Sequence, residues 1–532
     1  MDAGNKFLSA IRQPFAPNLE AASKARTEDV MADTSVFNPA PSSAKSAGDA
    51  FTSAVSWRGF DLPALAVSPR FDWALATLVG LALFALLLPT AGGLLSDPDA
   101  LWHLRTGREI LLTGHFPRVD SYSWTKTGES WIAKEWLSQV LYALSFMIAG
   151  WTGMAVLALA AASAAYALVF AALERRAGPL FALAAVLFIA LAGNFHLLAR
   201  PHVLAWLVAA GFVIVLHDAA EEARAPRWPF ALLMTLWANL HGSFLLGFIV
   251  LPFFAWESLA RARENRLGLS LRWAGFGLAC LLAVLVHPYG WRVLAAARDV
   301  LELGPAMSLI AEWRPQNFTS FGHFEFILLL GLGAALLTGL RLPAPRVALL
   351  LALLHSALAH VRQETLGVII VALLLGAPVA ALQGEIIRLP RQKLRLAAFA
   401  VVGLLALVAG ISAQNGPLGL PPEIAPQAAL DAARAAGVKG QALNEDQFGG
   451  FLISQHVPTY VDGRAELFGQ MHYDLSMALA GRKPEALEAL MADPKIGWAI
   501  LPNIFPANRD FGASPVWRRV FRDEVASVYA RR

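Results

Sequence analysis

The sequence predicts a polytopic α-helical membrane protein of about eleven transmembrane helices, followed by a small C-terminal α/β domain outside the cytoplasm. Three observations carry this expectation. Of the 532 residues, 57% are hydrophobic and only 15% charged, where a soluble chain would carry about a quarter charged residues. Charge-free runs recur, among them Leu75–Leu95, Phe326–Leu340 and Leu396–Ile411, each approaching or reaching the length that crosses a hydrocarbon core of about 30 Å. Arg and Lys collect in short loops between such runs, which is the charge signature of orientation in a bilayer. A β-barrel would show short alternating segments instead.

The elements follow in order. Residues 1–70 are rich in Ala, Ser and Pro with mixed charge and read as a disordered cytoplasmic tail; the first twenty hold no apolar core, so no cleavable leader is expected. Residues 71–413 form the bundle. Its first span lies near 73–95 and is followed by a long polar outer loop, 96–134. Further spans fall near 151–173, 179–194, 201–217, 228–241, 243–260, 273–287, 324–340, 346–360, 364–382 and 396–413, with a second outer loop at 288–323. The stretch 135–150 reads as an interfacial helix or the outer part of one long helix, with Gly150 at the break. Basic loops at Arg175–Arg176, Arg224–Arg227, Arg261–Arg272, Arg341–Arg346 and Arg388–Arg395 belong in the cytoplasm. An odd number of crossings then leaves residues 414–532 outside. There Gly416 and Pro421-Pro422 mark a linker, and Gln441–Asn444, Thr459–Val461, Trp498–Leu501 and Ser527–Ala530 read as strands, with helices at Phe448–Gln455 and Pro484–Met491.

Several classes are excluded. No basic stripe is interleaved with aromatics, which argues against nucleic acid. The single cysteine, Cys280, lies in an apolar run and builds no disulfide or thiolate metal site. No Gly-x-Ser-x-Gly elbow is present, which disfavours a serine hydrolase. Gly275-Phe-Gly277 and Gly331-Leu-Gly333 follow no strand and read as helix-packing positions.

The candidate functional residues sit at the ends of spans, where ionisable groups are costly and often functional. Asp97 and Asp99 form an Asp-x-Asp just past the first span. The pair suits a general base or a divalent cation such as Mg or Mn, and equally a helix cap. His103 stands four residues after Asp99, on the same helix face if a helix starts there. Arg200, His241, His287, Arg314 and Arg362 fall at other ends on the same membrane side. Arg200 and Arg362 are the candidates for a phosphate, because a guanidinium fork makes bidentate contacts; interfacial anchoring is the alternative. In the C-terminal part, Asp462-Gly463-Arg464 follows a strand-like run, and its two charged residues either contact a substrate or form a local ion pair.

At the level of architecture the chain resembles the GT-C class of integral membrane glycosyltransferases, which includes oligosaccharyltransferases, protein O-mannosyltransferases and the aminoarabinose transferase of lipid A. The resemblance covers the layout of residues 73–413 and, residue by residue, Asp97 and Asp99. A closer resemblance is to a group of uncharacterised bacterial membrane proteins near that class. It rests on Asp97–Gly107 with Trp102-His103, Pro117–Ser123, Glu135-Trp136-Leu137, Trp237–Gly242, Gly449-Gly450 and Val461–Arg464. The resemblance implies a multi-pass protein of the bacterial inner membrane, in the cell envelope. It implies a lipid-linked (polyprenyl-phosphate) sugar donor drawn from among the membrane lipids, and transfer of the sugar to an extracytoplasmic acceptor. A non-enzymatic export or assembly component for cell-surface polysaccharide is the rival reading. The second outer loop departs from the better-known enzymes, since its only acids are Asp299, Glu302 and Glu312.

Overall fold

The computed structural model describes residues 71–301, 307, 310–382, 390–412 and 418–532; the expected N-terminal tail lies outside them. The helices of the bundle are α1 (Trp73–Leu87), α2 (Asp99–Thr113), α3 (Trp136–Ala177), α4 (Pro179–Gly193), α5 (Pro201–Glu221), α6 (Leu232–Leu240), α7 (Leu245–Arg261), α8 (Arg266–Val284), α9 (Arg292–Leu301), α10 (His323–Thr338), α11 (Ala344–Ala359), α12 (Glu364–Leu382) and α13 (Arg391–Ser412). Beyond them come α14 (Gln427–Ala435), β1 (Gln441–Asn444), α15 (Asp446–Ser454), α16 (Ala465–Phe468), α17 (Gln470–Leu479), α18 (Pro484–Ala492), β2 (Ile496–Pro502), α19 (Ala507–Ala513), β3 (Trp517–Arg522) and β4 (Ala526–Arg531).

Among the described residues, seven helical segments are long and apolar enough to cross a membrane: 73–95, 136–177, 179–196, 201–221, 242–261, 266–284 and 361–379. Three further apolar helices, Trp228–Leu240, His323–Thr338 and Ala344–Ala359, are shorter.

Helix α3 is the axis of the bundle. Met154, Ala155, Ala158, Leu159, Ala162, Ala165 and Tyr166 repeat at helical spacing and are wholly buried. Between helices in lipid, association depends on close packing rather than hydrophobic transfer, so small residues set the distances. At Gly80 of α1 a Cβ would stand 2.9 Å from the Ala167 methyl. The break in α3 falls at Ala149–Gly150, where Gly150 has φ +58 and ψ −144, a conformation open to glycine. Residues 136–149 therefore leave the axis of the long span.

Helix α5 has 21 residues and is about 30 Å long, the thickness of a hydrocarbon core. Its two ends carry separate charge clusters. At the C-terminal end Arg176 binds Asp218 and, at 3.2 Å, Glu221; Arg346, 2% exposed, binds Glu257 at 2.8 Å and Glu221 at 3.2 Å. At the N-terminal end is Arg200 and the candidate site.

The C-terminal elements build a four-stranded sheet in the order β1-β2-β4-β3. β1 and β2 are parallel, and β4 is antiparallel to both β2 and β3. Leu443, Ile496, Ala499, Leu501 and Tyr529 face one buried cluster, and Ala442, Ile500 and Val528 face another. Two strand expectations differ from the structure. Residues 459–461 form no strand; Thr459 makes one parallel bridge to Ser123, its N–H donating to Tyr122 O and its carbonyl accepting from Trp124 N. Trp517–Arg522 is a strand that the pattern hides, because it is the sheet edge and carries Arg518, Arg519 and Arg522 outward.

Candidate active site

The site begins where the first span ends. A short 3-10 turn, Leu88–Leu95, precedes Ser96 and delivers Asp97-Pro98-Asp99 into α2. Asp97 Oδ1 accepts from Asp99 N at 2.8 Å, so one oxygen of Asp97 does the capping work. Asp99 caps nothing: its Oδ1 accepts from Trp102 Nε1 at 3.0 Å and its Oδ2 from Arg200 Nη2 at 2.6 Å. Arg200 Nη1 reaches Asp97 Oδ2 at 3.2 Å and also donates to Glu312. One guanidinium thus bridges three carboxylates from the first loop and the second. Arg200 itself is extended, at the residue before Pro201, and its carbonyl is fixed by Tyr142 Oη at 3.0 Å.

The cluster continues from Glu312. Its second oxygen lies 3.9 Å from Arg362 Nη1, and the Arg362 guanidinium sits 4.6 Å from the Trp313 ring centre. Arg362 Nη2 is 3.4 Å from His241 Nε2. His241 Nδ1 accepts from Ser243 N at 3.1 Å, which leaves the ring proton on Nε2, facing Glu135 Oε1 at 3.4 Å. Glu135 Oε2 is 3.8 Å from His103 Nε2, and Gln139 Nε2 donates to His103 Nδ1 at 3.0 Å.

Electrostatics follow from burial and these neighbours. Burial pushes the Asp99 carboxyl well above the ordinary carboxylate range, with Asp97 and Asp446 adding to the rise and Arg200 opposing it. Burial also raises Asp97, with Arg200 opposing and Glu312 adding. At Glu312 burial is outweighed by Arg200 and Arg362, which pull it down to about 2. Burial, then Arg200 and Lys134, hold His103 well below the usual histidine range.

The span-end residues expected to converge are distributed as follows. Asp97, Asp99, Arg200, Arg362, His241 and His103 belong to one continuous chain of contacts. His103 turns away from Asp99, stacking on Trp102 at 3.6 Å and facing Glu135. His287 stands beside this chain: its Nε2 donates to Lys134 O at 3.1 Å, and it lines a separate cleft of about 600 Å³ with Trp136, Leu137 and Asn239. Asp462 and Arg464 are wholly buried rather than facing the site. Arg464 binds Asp462 at 2.7 Å and Asp120 of the first loop at 2.6 Å, with its guanidinium 4.8 Å from the centre of the Trp131 ring and 5.0 Å from that of Tyr122. It is a clamp between the first loop and the C-terminal part. The residue between them does reach the site. A Cβ on Gly463 would lie 1.7 Å from Asp99 Oδ1, so the turn is laid directly on the carboxylate.

Glu135 and Glu312 complete the cluster; the sequence marked Glu135 in its Glu-Trp-Leu stretch and Glu312 among the acids of the second loop, but gave neither a role. A cation bridging Asp97 and Asp99 does not fit the arrangement as it stands, because the Arg200 guanidinium already sits between them, bonded to Asp97 Oδ2 and Asp99 Oδ2. Among the described residues, the one His/Asp/Glu group close enough to share an ion is His217, Asp218 and Glu221. Both carboxylates there are paired with Arg175, Arg176 or Arg346.

No known protein family matches the sequence, and no curated protein matches it. Several solved structures align with most of its length. The archaeal oligosaccharyltransferase AglB from Archaeoglobus fulgidus, in complex with an inhibitory peptide and a dolichol-phosphate, aligns with 16% identity and a TM-score of 0.48 over 81% of this chain and 69% of its own. ArnT from Cupriavidus metallidurans, bound to undecaprenyl phosphate, aligns with 15% identity and a TM-score of 0.46 over 84% and 96%. The Archaeoglobus fulgidus oligosaccharyltransferase in complex with Zn and sulfate gives 12% identity and 0.45 over 80% and 67%. At these identities and scores the alignments assign no family, residue role, donor or acceptor.

Proposed function

We propose that the chain is a membrane glycosyltransferase-like protein that transfers a sugar from a polyprenyl-phosphate-linked donor to an extracytoplasmic acceptor. The observation that carries this reading is the buried cluster at the N-terminal end of α5, where Asp97, Asp99 and Glu312 share Arg200 and where Arg362 stands beside them with only longer contacts. The sugar chemistry rests on the resemblance of the first-loop motif. In this reading about eleven helices cross the inner membrane: the seven long ones, the three shorter ones and Arg391–Ser412. The N-terminus is cytoplasmic, and residues 414–532 form an extracytoplasmic domain over the site. The basic loops, at the end of the bundle opposite Arg200, support this orientation.

The chemistry is a displacement at the anomeric carbon. The acceptor loses a proton to a carboxylate of the cluster, its heteroatom bonds to the sugar, and the bond from the sugar to the phosphate oxygen breaks. The departing polyprenyl phosphate carries away the negative charge. Arg362 is the group to hold that phosphate, since Arg200 already satisfies three carboxylates. A fixed guanidinium stabilises charge as it develops on the leaving group. Asp97 and Asp99 keep Arg200 and the α2 start in place; no metal step is needed.

The test uses the full chain in nanodiscs with undecaprenyl phosphate as the probe. Arg362→Ala should weaken binding about 10- to 100-fold, the loss of one charge-assisted contact. Asp97→Asn and Asp99→Asn should keep that binding and lower sugar transfer, because each loosens Arg200. Failure of the wild-type protein to bind the probe would sink the donor class. Binding without transfer from a panel of polyprenyl-phosphate sugars would favour the export or assembly reading.

A further inference from the structure

We propose that Asp446, supplied by the C-terminal part of the chain, is the proton-accepting group of this site, with Asp97 and Asp99 acting as the partners of Arg200. The inference rests on the transferase reading and names the carboxylate that takes the acceptor proton.

Placement comes first. Asp446 opens α15, and Gly450 follows at i+4 on the same helix face. A Cβ on Gly450 would lie 2.1 Å from Pro98 O and 3.4 Å from the Leu101 Cβ, so this face of α15 is pressed onto the start of α2. The neighbouring Gly449 would place a Cβ 2.6 Å from Asp462 Cα, and Gly463 covers Asp99 in turn. Three glycines thus let two backbones close over Asp97-Pro98-Asp99 and bring Asp446 with them. It is near enough to Asp97, Asp99 and Asp462 for like-charge repulsion and to Arg200 for attraction.

The state of its atoms comes second. A general base needs a lone pair that is not already committed. At Asp97 and Asp99 every oxygen already accepts a hydrogen bond, and one oxygen of each is held by the Arg200 guanidinium. Asp446 Oδ1 is buried without a hydrogen-bond partner. Its Oδ2 lies 3.6 Å from Nε2 of His472, an imidazole 3% exposed whose Nδ1 also has no partner. A carboxyl and an imidazole kept unsatisfied together are unusual in a folded protein and mark a place where something else binds or a proton moves. The Asp446 side chain is 31% exposed although its Oδ1 is buried, so the surface it offers to an acceptor lies on its other atoms.

The charge environment agrees. Burial, then Asp462 and Asp97, push Asp446 up to about 7, with Arg200 opposing. Burial and Asp446 push the adjacent Glu445 up to about 7, with His472 opposing. A carboxylate poised there can take a proton from the acceptor hydroxyl or amide and return it to water between turnovers.

The experiment combines a pH–rate profile with infrared titration of the full chain in nanodiscs. Wild-type transfer should rise with pH to a plateau, as the base deprotonates. Asp446→Asn should lower turnover on the order of a hundredfold or more and erase that limb. Asp446→Glu should restore it, and Glu445→Gln should move it to lower pH by removing a like charge. In the infrared, the protonated-carboxyl band that titrates near neutral pH should lose the Asp446 share of its amplitude in Asp446→Asn, leaving that of Glu445, and persist in full in Asp97→Asn. An Asp446→Asn protein with the wild-type limb, or with the band intact, overturns the inference. A wild-type protein that transfers nothing, yet carries the Asp446 band, overturns the transferase reading while leaving Asp446 as a proton-binding group.

Discussion

Replacing Gly463 by alanine tests how the site is closed. The new methyl would lie 1.7 Å from Asp99 Oδ1, 2.7 Å from its Cγ and 3.1 Å from Trp102 Nε1. Ordinary contact needs about 3.5 Å, so the turn or the carboxylate must move by nearly 2 Å. Asp99 can swing away only by giving up Arg200 at 2.6 Å and Trp102 at 3.0 Å, and the first of these is a charge-assisted bond of about 1.5–3 kcal/mol. The turn can lift only by pulling on Asp462 and Arg464, which are wholly buried. Either route costs about 2–3 kcal/mol of stability, the upper part of the range for overpacking. A displacement of about 1 Å in a reacting group is worth on the order of a hundredfold in rate, so transfer should fall at least that far. Thermal unfolding in detergent and sugar transfer should both drop, whereas Gly512→Ala, in α19 with nothing within 4 Å of its Cβ, should leave both unchanged. A Gly463→Ala protein with wild-type melting and wild-type turnover would refute the close approach of this turn to Asp99.

Three other outcomes follow from the same geometry. Arg464→Ala strands Asp120 and Asp462, both at most 1% exposed, and should cost about 3–5 kcal/mol in an unfolding titration; an unchanged midpoint would remove the clamp. The folded state raises Glu445 and Asp446 to about 7, so between about pH 4 and 7 it binds more protons than the unfolded chain; stability should fall as pH rises through that window and level off above it. Asp446→Asn should flatten the decline, and an equally steep decline in the variant would contradict the shift. Reporter fusions after Arg176 and Arg266 should read as cytoplasmic and one after Gly416 as external, the reverse pattern being fatal to the assigned orientation.

Much of the bundle was legible because apolar runs long enough to span leave little choice of partner for their backbone groups. Gly150 was legible as a break for the same reason, since a single glycine interrupts an otherwise continuous run. Asp97, Asp99, Arg200, His241 and Arg362 stood out because charge at the end of a span is costly. Their pairing was not legible. Nothing in the spacing says that Arg200 takes Asp97, Asp99 and Glu312 together, or that His103 turns to Glu135, since those distances are set by helix packing. Arg464 was legible in part, since the local ion pair with Asp462 was one of its two readings. Its burial was not, because Tyr122 and Trp131 reach it from the first loop, with Phe468 four residues on completing the enclosure. Asp446 was hidden in a run that reads as an ordinary helix start.

The clamp between the first loop and the C-terminal part has a consequence for biosynthesis. Thr125 Oγ1 donates to Tyr460 O across 335 residues of chain, and Trp124 Nε1 to Ala442 O across 318. At about 5–20 residues per second the ribosome needs from about 17 to about 70 s to make that intervening length. Throughout that interval Asp120 waits without Arg464, and the acidic start of α2 waits without its glycine-lined cover. The loop is then open to proteases and to wrong partners, and every nascent chain must pass through this state before its site can close.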